Sequence, residues 1–214
     1  MNKKTIVFSL LLIGCITISC NSTKVFKEKW TKKEAPAMFK ARFETTQGNF
    51  DIVAQREWSP KGVDRLYQLI TNDFYTNIAL YRVVPDFVAQ FGIHNDSVVN
   101  TSWRAHKVPD EPVVAKNLEG TIAFARGGKE TRTTQLFINL KNNSPRLDTL
   151  FNNGVTGFPV VAKVTNGMDV VKKFYDVYGG APGQKQGLIH KGGNNYLKQN
   201  FPKLDYITKA YLIK

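Results

Sequence analysis

Polar and apolar residues alternate over Ala41-Arg42-Phe43-Glu44-Thr45, the chain turns at Gln47-Gly48-Asn49, and the alternation resumes over Phe50-Asp51-Ile52-Val53. A period of two puts one side of each segment toward a core, so this stretch is predicted to be a β-hairpin. The period then lengthens. Ser59 is a good helix N-cap and Pro60 suits the first helical position. Val63, Leu66, Tyr67 and Ile70 follow at i, i+3, i+4 and i+7, which predicts a helix with one apolar face ending near Asn72. Short apolar runs come next, separated by turn residues: Ala79–Val84, Phe87–Phe91, Thr121–Ala125, Gln135–Leu140 and Phe158–Val164, with a last strand at Ala210–Ile213. Gly167-Met168-Asp169 leads into a second short helix whose buried face is Val170, Val171 and Phe174. The strands follow one another too closely for βαβ crossovers. The fold expected is therefore mainly β, a closed or sandwiched antiparallel domain with two helices. Residues 92–119 and 178–206 show no regular pattern and read as long functional loops.

The N-terminus follows a different rule. Lys3 and Lys4 precede an apolar stretch from Ile6 to Ile18, too short for a comfortable membrane span and suited to a signal peptide. It ends in Thr17-Ile18-Ser19-Cys20, which resembles the bacterial lipobox, where a cysteine is lipidated and becomes the mature N-terminus. Leu12-Ile13-Gly14-Cys15 fits the same pattern. Cys20 is the expected site, because polar Asn21-Ser22-Thr23-Lys24 follows it directly. The expected organisation is a lipoprotein signal peptide at 1–19, a lipid-anchored tether at 20–39 and one domain at 40–214. That organisation places the domain at the bacterial cell envelope, anchored to a membrane and facing the periplasm. Tether lysines can also lie against anionic headgroups. Cys15 and Cys20 are the only cysteines, so the mature domain would have no disulfide.

The chain has 214 residues and a formal net charge of +13, which admits nucleic acid, an anionic surface or acidic partners. No run exceeds two consecutive basic residues and no nucleic-acid motif is present, so a solvated basic surface is expected and nucleic acid is not. His94, His106 and His190 lack metal-ligand spacing. No nucleophile elbow or phosphate loop appears. What remains is a set of residues without a nucleophile. Arg82, Phe87 and Gln90 lie within Tyr81-Arg82-Val83-Val84-Pro85-Asp86-Phe87-Val88-Ala89-Gln90 and can face one surface if the run bends at Pro85-Asp86. Ala123-Phe124-Ala125-Arg126 leaves a strand into Gly127-Gly128, and Arg132 to Leu140 carries Gln135 and Phe137.

These segments, in this order, resemble the cyclophilin-type peptidyl-prolyl cis-trans isomerases over about residues 41–213. Asp73-Phe74-Tyr75, Gly157-Phe158-Pro159 and Gly167-Met168-Asp169-Val170 continue the likeness. The resemblance implies an eight-stranded closed antiparallel β-barrel capped by two α-helices. It implies a monomer acting on proline-containing polypeptides without metal or cofactor. Arg82 and Gln90 would be the catalytic pair. Phe87, Phe137 and Leu147 would line a proline pocket with Val88 on its wall. Ala125 and Arg126 would face the residue before proline, Gln135 would lie along the groove, and Phe158 would stand near an aromatic wall. The chain departs from the pattern at Arg146, where many relatives carry tryptophan, at Val161-Ala162 in place of Phe-Gly, and at Tyr81 in place of a histidine. The long loops also admit a second reading, a fold of this kind that grips envelope proteins without useful turnover.

Overall fold

The structure is a computed structural model and describes residues 24–214. The expected signal segment, Cys15 and Cys20 lie outside the described residues. Strands β1 (Met38–Thr45) and β2 (Gly48–Gln55) form the predicted hairpin. Gly48 already pairs with Thr45, so the turn is Thr46-Gln47, slightly earlier than the sequence suggested. Phe43 faces Phe50 across the ladder, and their rings stack with centroids 5.0 Å apart. The segment from Phe26 onward, expected to be a tether up to residue 39, packs on the domain, and Met38 and Phe39 already belong to β1. Phe26 meets the Trp103 ring edge-on at 5.1 Å, and the Gln68 amide donates to the Thr31 and Lys33 carbonyls.

Helix α1 (Pro60–Thr71) buries Val63, Leu66 and Ile70 of the predicted face, and Tyr67, the fourth, is only partly buried against the core. Its start is held differently from expectation. Ser59 makes no side-chain cap. The carboxylate of Glu111 takes that place, accepting from Lys61 N at 2.8 Å and Gly62 N at 3.1 Å, where the helix dipole favours a negative charge. The Ser59 hydroxyl donates to the same carboxylate, and so does Arg132 Nη2 at 2.9 Å. Arg132 is entirely buried. Only glycine fits at position 62, because a Cβ there would come within 2.7 Å of Val161 Cγ1.

The remaining elements are β3 (Ile78–Ala79), β4 (Arg82–Val84), β5 (Val88–Phe91), α2 (Ser97–Ala105), β6 (Thr121–Phe124), β7 (Leu136–Asn139), α3 (Arg146–Thr149), β8 (Phe151–Asn152), β9 (Val155–Thr156), β10 (Val160–Asn166), α4 (Met168–Val171), α5 (Gln186–Asn200) and β11 (Tyr206–Ile213). Among the described residues, nine strands make one antiparallel sheet in the order β3-β11-β1-β2-β10-β6-β7-β5-β4, and β8 and β9 form a separate ribbon. Its two edge strands, β3 and β4, are separated in sequence only by Leu80 and Tyr81, so the sheet has to curl until its edges approach. The strand count exceeds the expected eight because the run 78–84 leaves β11 and joins β5 at those two residues.

The helices correct the sequence reading more strongly. The second expected helix is only the four-residue α4. The two stretches read as irregular contain α2 and α5 instead. Asp96 caps α2, accepting from Val98 N and Val99 N at 2.8 and 3.2 Å. The two helices meet through polar contacts: Asn100 Nδ2 donates to His190 Nδ1 at 2.6 Å, and Asn194 N to Asn95 Oδ1 at 2.7 Å. Faces built partly from asparagine carry no apolar period to read.

Candidate active site

Alternation along β5, β6 and β7 gives this part of the sheet two apolar sides. Ala89, Phe91, Ile122, Phe124, Leu136 and Ile138 join the main core. The residues between them face the other way, and Val88, Ala123 and Phe137 form a second cluster with Leu147 of α3. The register sets Phe137 beside both Gln90 and Ala123. Phe87, Ala125 and Phe158 border this cluster and are only partly buried. Phe158 meets Phe137 edge-on with centroids 5.5 Å apart. Val88, Ala123, Phe137 and Leu147 are themselves buried, and the partly buried Phe87, Ala125 and Phe158 form the outer margin of this second cluster, a place that suits an apolar ligand group.

Polar contacts beneath the cluster fix its rim. Asn143 Nδ2 donates to Phe87 O and Asn139 Oδ1 at 2.9 and 2.8 Å. Phe158 N donates to Leu147 O at 2.8 Å, and Asn117 Nδ2 donates to Phe158 O at 2.9 Å. Gly157 permits that approach, with φ of 66° and a hypothetical Cβ only 2.1 Å from Asp148 O.

The predicted bend is present. Asp86 takes a left-handed φ of 52°, and β4 and β5 pair with Arg82 opposite Gln90. Arg82 Nη1 donates to Gln90 Oε1 at 3.2 Å, and its guanidinium lies over the Phe87 ring at 5.4 Å. Among the described residues no carboxylate comes within salt-bridge distance of Arg82. Burial lowers the pKa of Arg82, while neighbouring Tyr81 acts to raise it. Arginine stays charged at any working pH regardless.

Side-chain amides extend from this point. Gln90 Nε2 donates to the Tyr81 hydroxyl at 2.7 Å and to Gln135 Oε1 at 3.0 Å. The Tyr81 hydroxyl donates to Gln135 Oε1. Gln135 Nε2 donates to Gln186 Oε1 at 3.0 Å. A depression of about 410 Å³ opens alongside, lined by Gln90, Arg104, Lys107, Ala125, Gln135 and Gln186 among others.

Arg82, Phe87, Val88, Gln90, Ala125, Gln135, Phe137, Leu147 and Phe158 are thus brought into one surface. Arg126 also borders that surface, with its guanidinium over the Phe158 ring at 5.5 Å and its hydrogen bonds directed to neighbouring loops. It donates to Asp110 Oδ1 at 2.8 Å, to Thr156 O at 2.7 Å and to Gly157 O, with its side chain 2% exposed. Its role here is to brace the Phe158 loop. Three participants escaped the sequence reading: the Tyr81 hydroxyl, Gln186, and Arg146, whose guanidinium also lies over Phe87 at 5.3 Å. Gln186 meets the site only through tertiary contact, and Tyr81 figured in the sequence reading only as a departure from the family pattern. Arg146, one residue before Leu147, was visible only as a departure from the family pattern.

Comparison with known proteins agrees with this geometry. The family model described as "Cyclophilin type peptidyl-prolyl cis-trans isomerase/CLD" matches residues 40–191. Peptidyl-prolyl cis-trans isomerase B of Escherichia coli is 30% identical over 149 residues, covering 67% of this chain and 88% of its own. A peptidyl-prolyl cis-trans isomerase of Acinetobacter baylyi is 29% identical over 136 residues, covering 62% of this chain and 70% of its own. A crystal structure of a Cryptosporidium parvum cyclophilin-type isomerase superposes with a TM-score of 0.58 at 16% identity, covering 83% of this chain and 98% of that one. The same protein has been crystallised in the presence of the dipeptide Ala-Pro. With its sheet, its outward apolar cluster and its family match in agreement, the chain belongs to the cyclophilin-type peptidyl-prolyl cis-trans isomerases.

Proposed function

We propose that this protein accelerates X–Pro bond rotation in exported polypeptides, with Arg82 stabilising the twisted amide above the pocket formed by Val88, Phe137 and Leu147. The supporting observation is the juxtaposition itself: a guanidinium without a carboxylate partner among the described residues, held by Gln90 over Phe87 at the edge of an outward apolar cluster.

Rotation about an amide is slow because resonance must be broken, at about 18–20 kcal/mol. Twisting makes the proline nitrogen pyramidal and restores its lone pair. A guanidinium beside that nitrogen gains a hydrogen bond that exists mainly in the twisted state, which is the interaction that accelerates a reaction. A charge-assisted hydrogen bond contributes about 1.5–3 kcal/mol, or roughly 10- to 150-fold in rate. The apolar cluster holds the proline ring and excludes water, which strengthens that bond. Phe87 and Phe158 border the pocket, Ala125 and Gln135 line the groove beside it, and Arg126 contributes through the loop it braces. No metal, cofactor or covalent step is required.

Exchange NMR on a blocked Ala-Pro peptide tests the reading. The wild-type domain should speed cis-trans exchange and Arg82→Ala should lose most of that acceleration while keeping its fold. Exchange unaltered by wild type, or equal in the variant, refutes it. We further propose that Cys20 carries the lipid anchor that holds the domain at the envelope, facing the periplasm. Incorporation of a labelled lipid precursor into wild type and its absence in Cys20→Ala would support the anchor, and equal labelling would refute it.

A further inference from the structure

We propose that the groove prefers client segments with an acidic side chain close to the proline, and that Arg104 and Lys107 set this preference. The inference rests on the isomerase reading of the same surface and adds the class of substrate. The depression beside the apolar cluster is lined by Gln90 and Gln135, which belong to the site, and by the cations Arg104, Lys107 and Arg126, without any carboxylate. Asp110 neutralises Arg126 at 2.8 Å. Arg104 and Lys107 have no carboxylate within salt-bridge distance among the described residues, and both are exposed.

Their backbone is not free to carry them away. Arg104 stands in the last turn of α2 and Lys107 two residues beyond its end. Trp103 and Val108, on either side of this segment, are buried, and Val108 bridges to Arg132. Asn100 ties α2 to α5 through His190. A favourable place at a helix C-terminus accounts for Arg104 alone, whereas Lys107 lies outside the helix. Two cations without carboxylate partners among the described residues line one depression, and a carboxylate entering it gains attraction to both.

Blocked peptides centred on Ala-Pro, carrying Glu, Gln or Lys two positions before or two positions after the proline, provide the test by exchange NMR at low and at high salt. In one of the two registers the Glu peptide should exceed its Gln counterpart in kcat/KM by roughly two- to tenfold, the range of one or two exposed ion pairs, with the Lys peptide lowest. The advantage should shrink at high salt. In the Arg104→Glu/Lys107→Glu double variant the order of Glu and Lys should reverse, with the Gln peptide as each protein's own reference. Equal rates for Glu, Gln and Lys in both registers, or a Glu preference that persists in the double variant, would overturn the proposal. Failure to accelerate any of these peptides would instead refute the isomerase reading. The dissociation constants of the same peptides would then decide the acidic preference separately.

Discussion

Gln90 stands directly opposite Arg82 in the β4–β5 ladder and accepts its hydrogen bond while both of its own amide protons are engaged, by Tyr81 and Gln135. An amide held at both ends cannot rotate away. It therefore fixes the guanidinium without neutralising it, which a carboxylate could not do. Gln90→Glu should lower kcat/KM in a peptide exchange assay more than Gln90→Leu does. The Leu variant forfeits only the hold, about tenfold from one hydrogen bond to a charged group. Equal losses in the two variants would show that charge at Arg82 is not what matters.

Gly183 lies in the turn before α5, where a Cβ would meet Arg82 Cδ at 3.0 Å and Arg82 Cβ at 3.4 Å. A valine there presses on the arginine stem. Gly183→Val should reduce kcat/KM by about tenfold, with overpacking lowering stability by about 1–3 kcal/mol, and Gly183→Ala should fall between. Unchanged turnover per folded molecule in the valine variant would show that this segment does not govern the arginine.

Burial acts to raise the pKa of the Glu111 carboxyl, but hydrogen bonds from Ser59, Lys61 N and Arg132 outweigh it and hold the group below the ordinary glutamate value. A carboxylate depressed in the folded state contributes stability above its unfolded pKa of about 4.3. That contribution is lost as pH falls through its folded value. Urea unfolding should therefore show stability declining with acidification below that point, with a shallower decline in Glu111→Gln. At neutral pH the variant should be less stable by about 3 kcal/mol or more, since Arg132 keeps its buried charge without a counterion.

Burial, and after it the like charge of Arg104, lowers the His190 pKa to about 4. The unfolded chain takes up that proton near pH 6.5 and the native chain does not. His190 therefore makes stability fall as pH drops from the unfolded value to the folded one, and its contribution levels off below that. The neutral ring is the form that accepts the Asn100 bond at 2.6 Å. An NMR titration should find the His190 ring neutral down to about pH 4, whereas titration near 6.5 would mean that the α2–α5 contact is looser than described.

The sequence revealed those parts in which one side of an element is buried and the other is not. The β1–β2 hairpin and α1 follow from period-two and helical spacing. The two apolar sides of β5 to β7 were legible as continuous apolar runs, although which residue faced which side required the register. Helices α2 and α5 were hidden because Asn100, His190 and Asn194 make their contact. The direction of the Arg126 head was hidden because its counterion, Asp110, comes from a separate segment. Arg132 stood in a segment read for its chemistry, yet its buried bonds to Glu111 and Ser59 make it a structural residue.

The short run 78–84 pairs with β11 at one end and with β5 at the other, and Arg82 is the first residue after the changeover. The guanidinium therefore reaches its place only when a strand near the chain's end and a strand from its first half have both been engaged by the same few residues. A variant in which either edge pairing is weakened should therefore lose peptide exchange activity, which exchange NMR would check. Edge pairing and turnover should then be lost together.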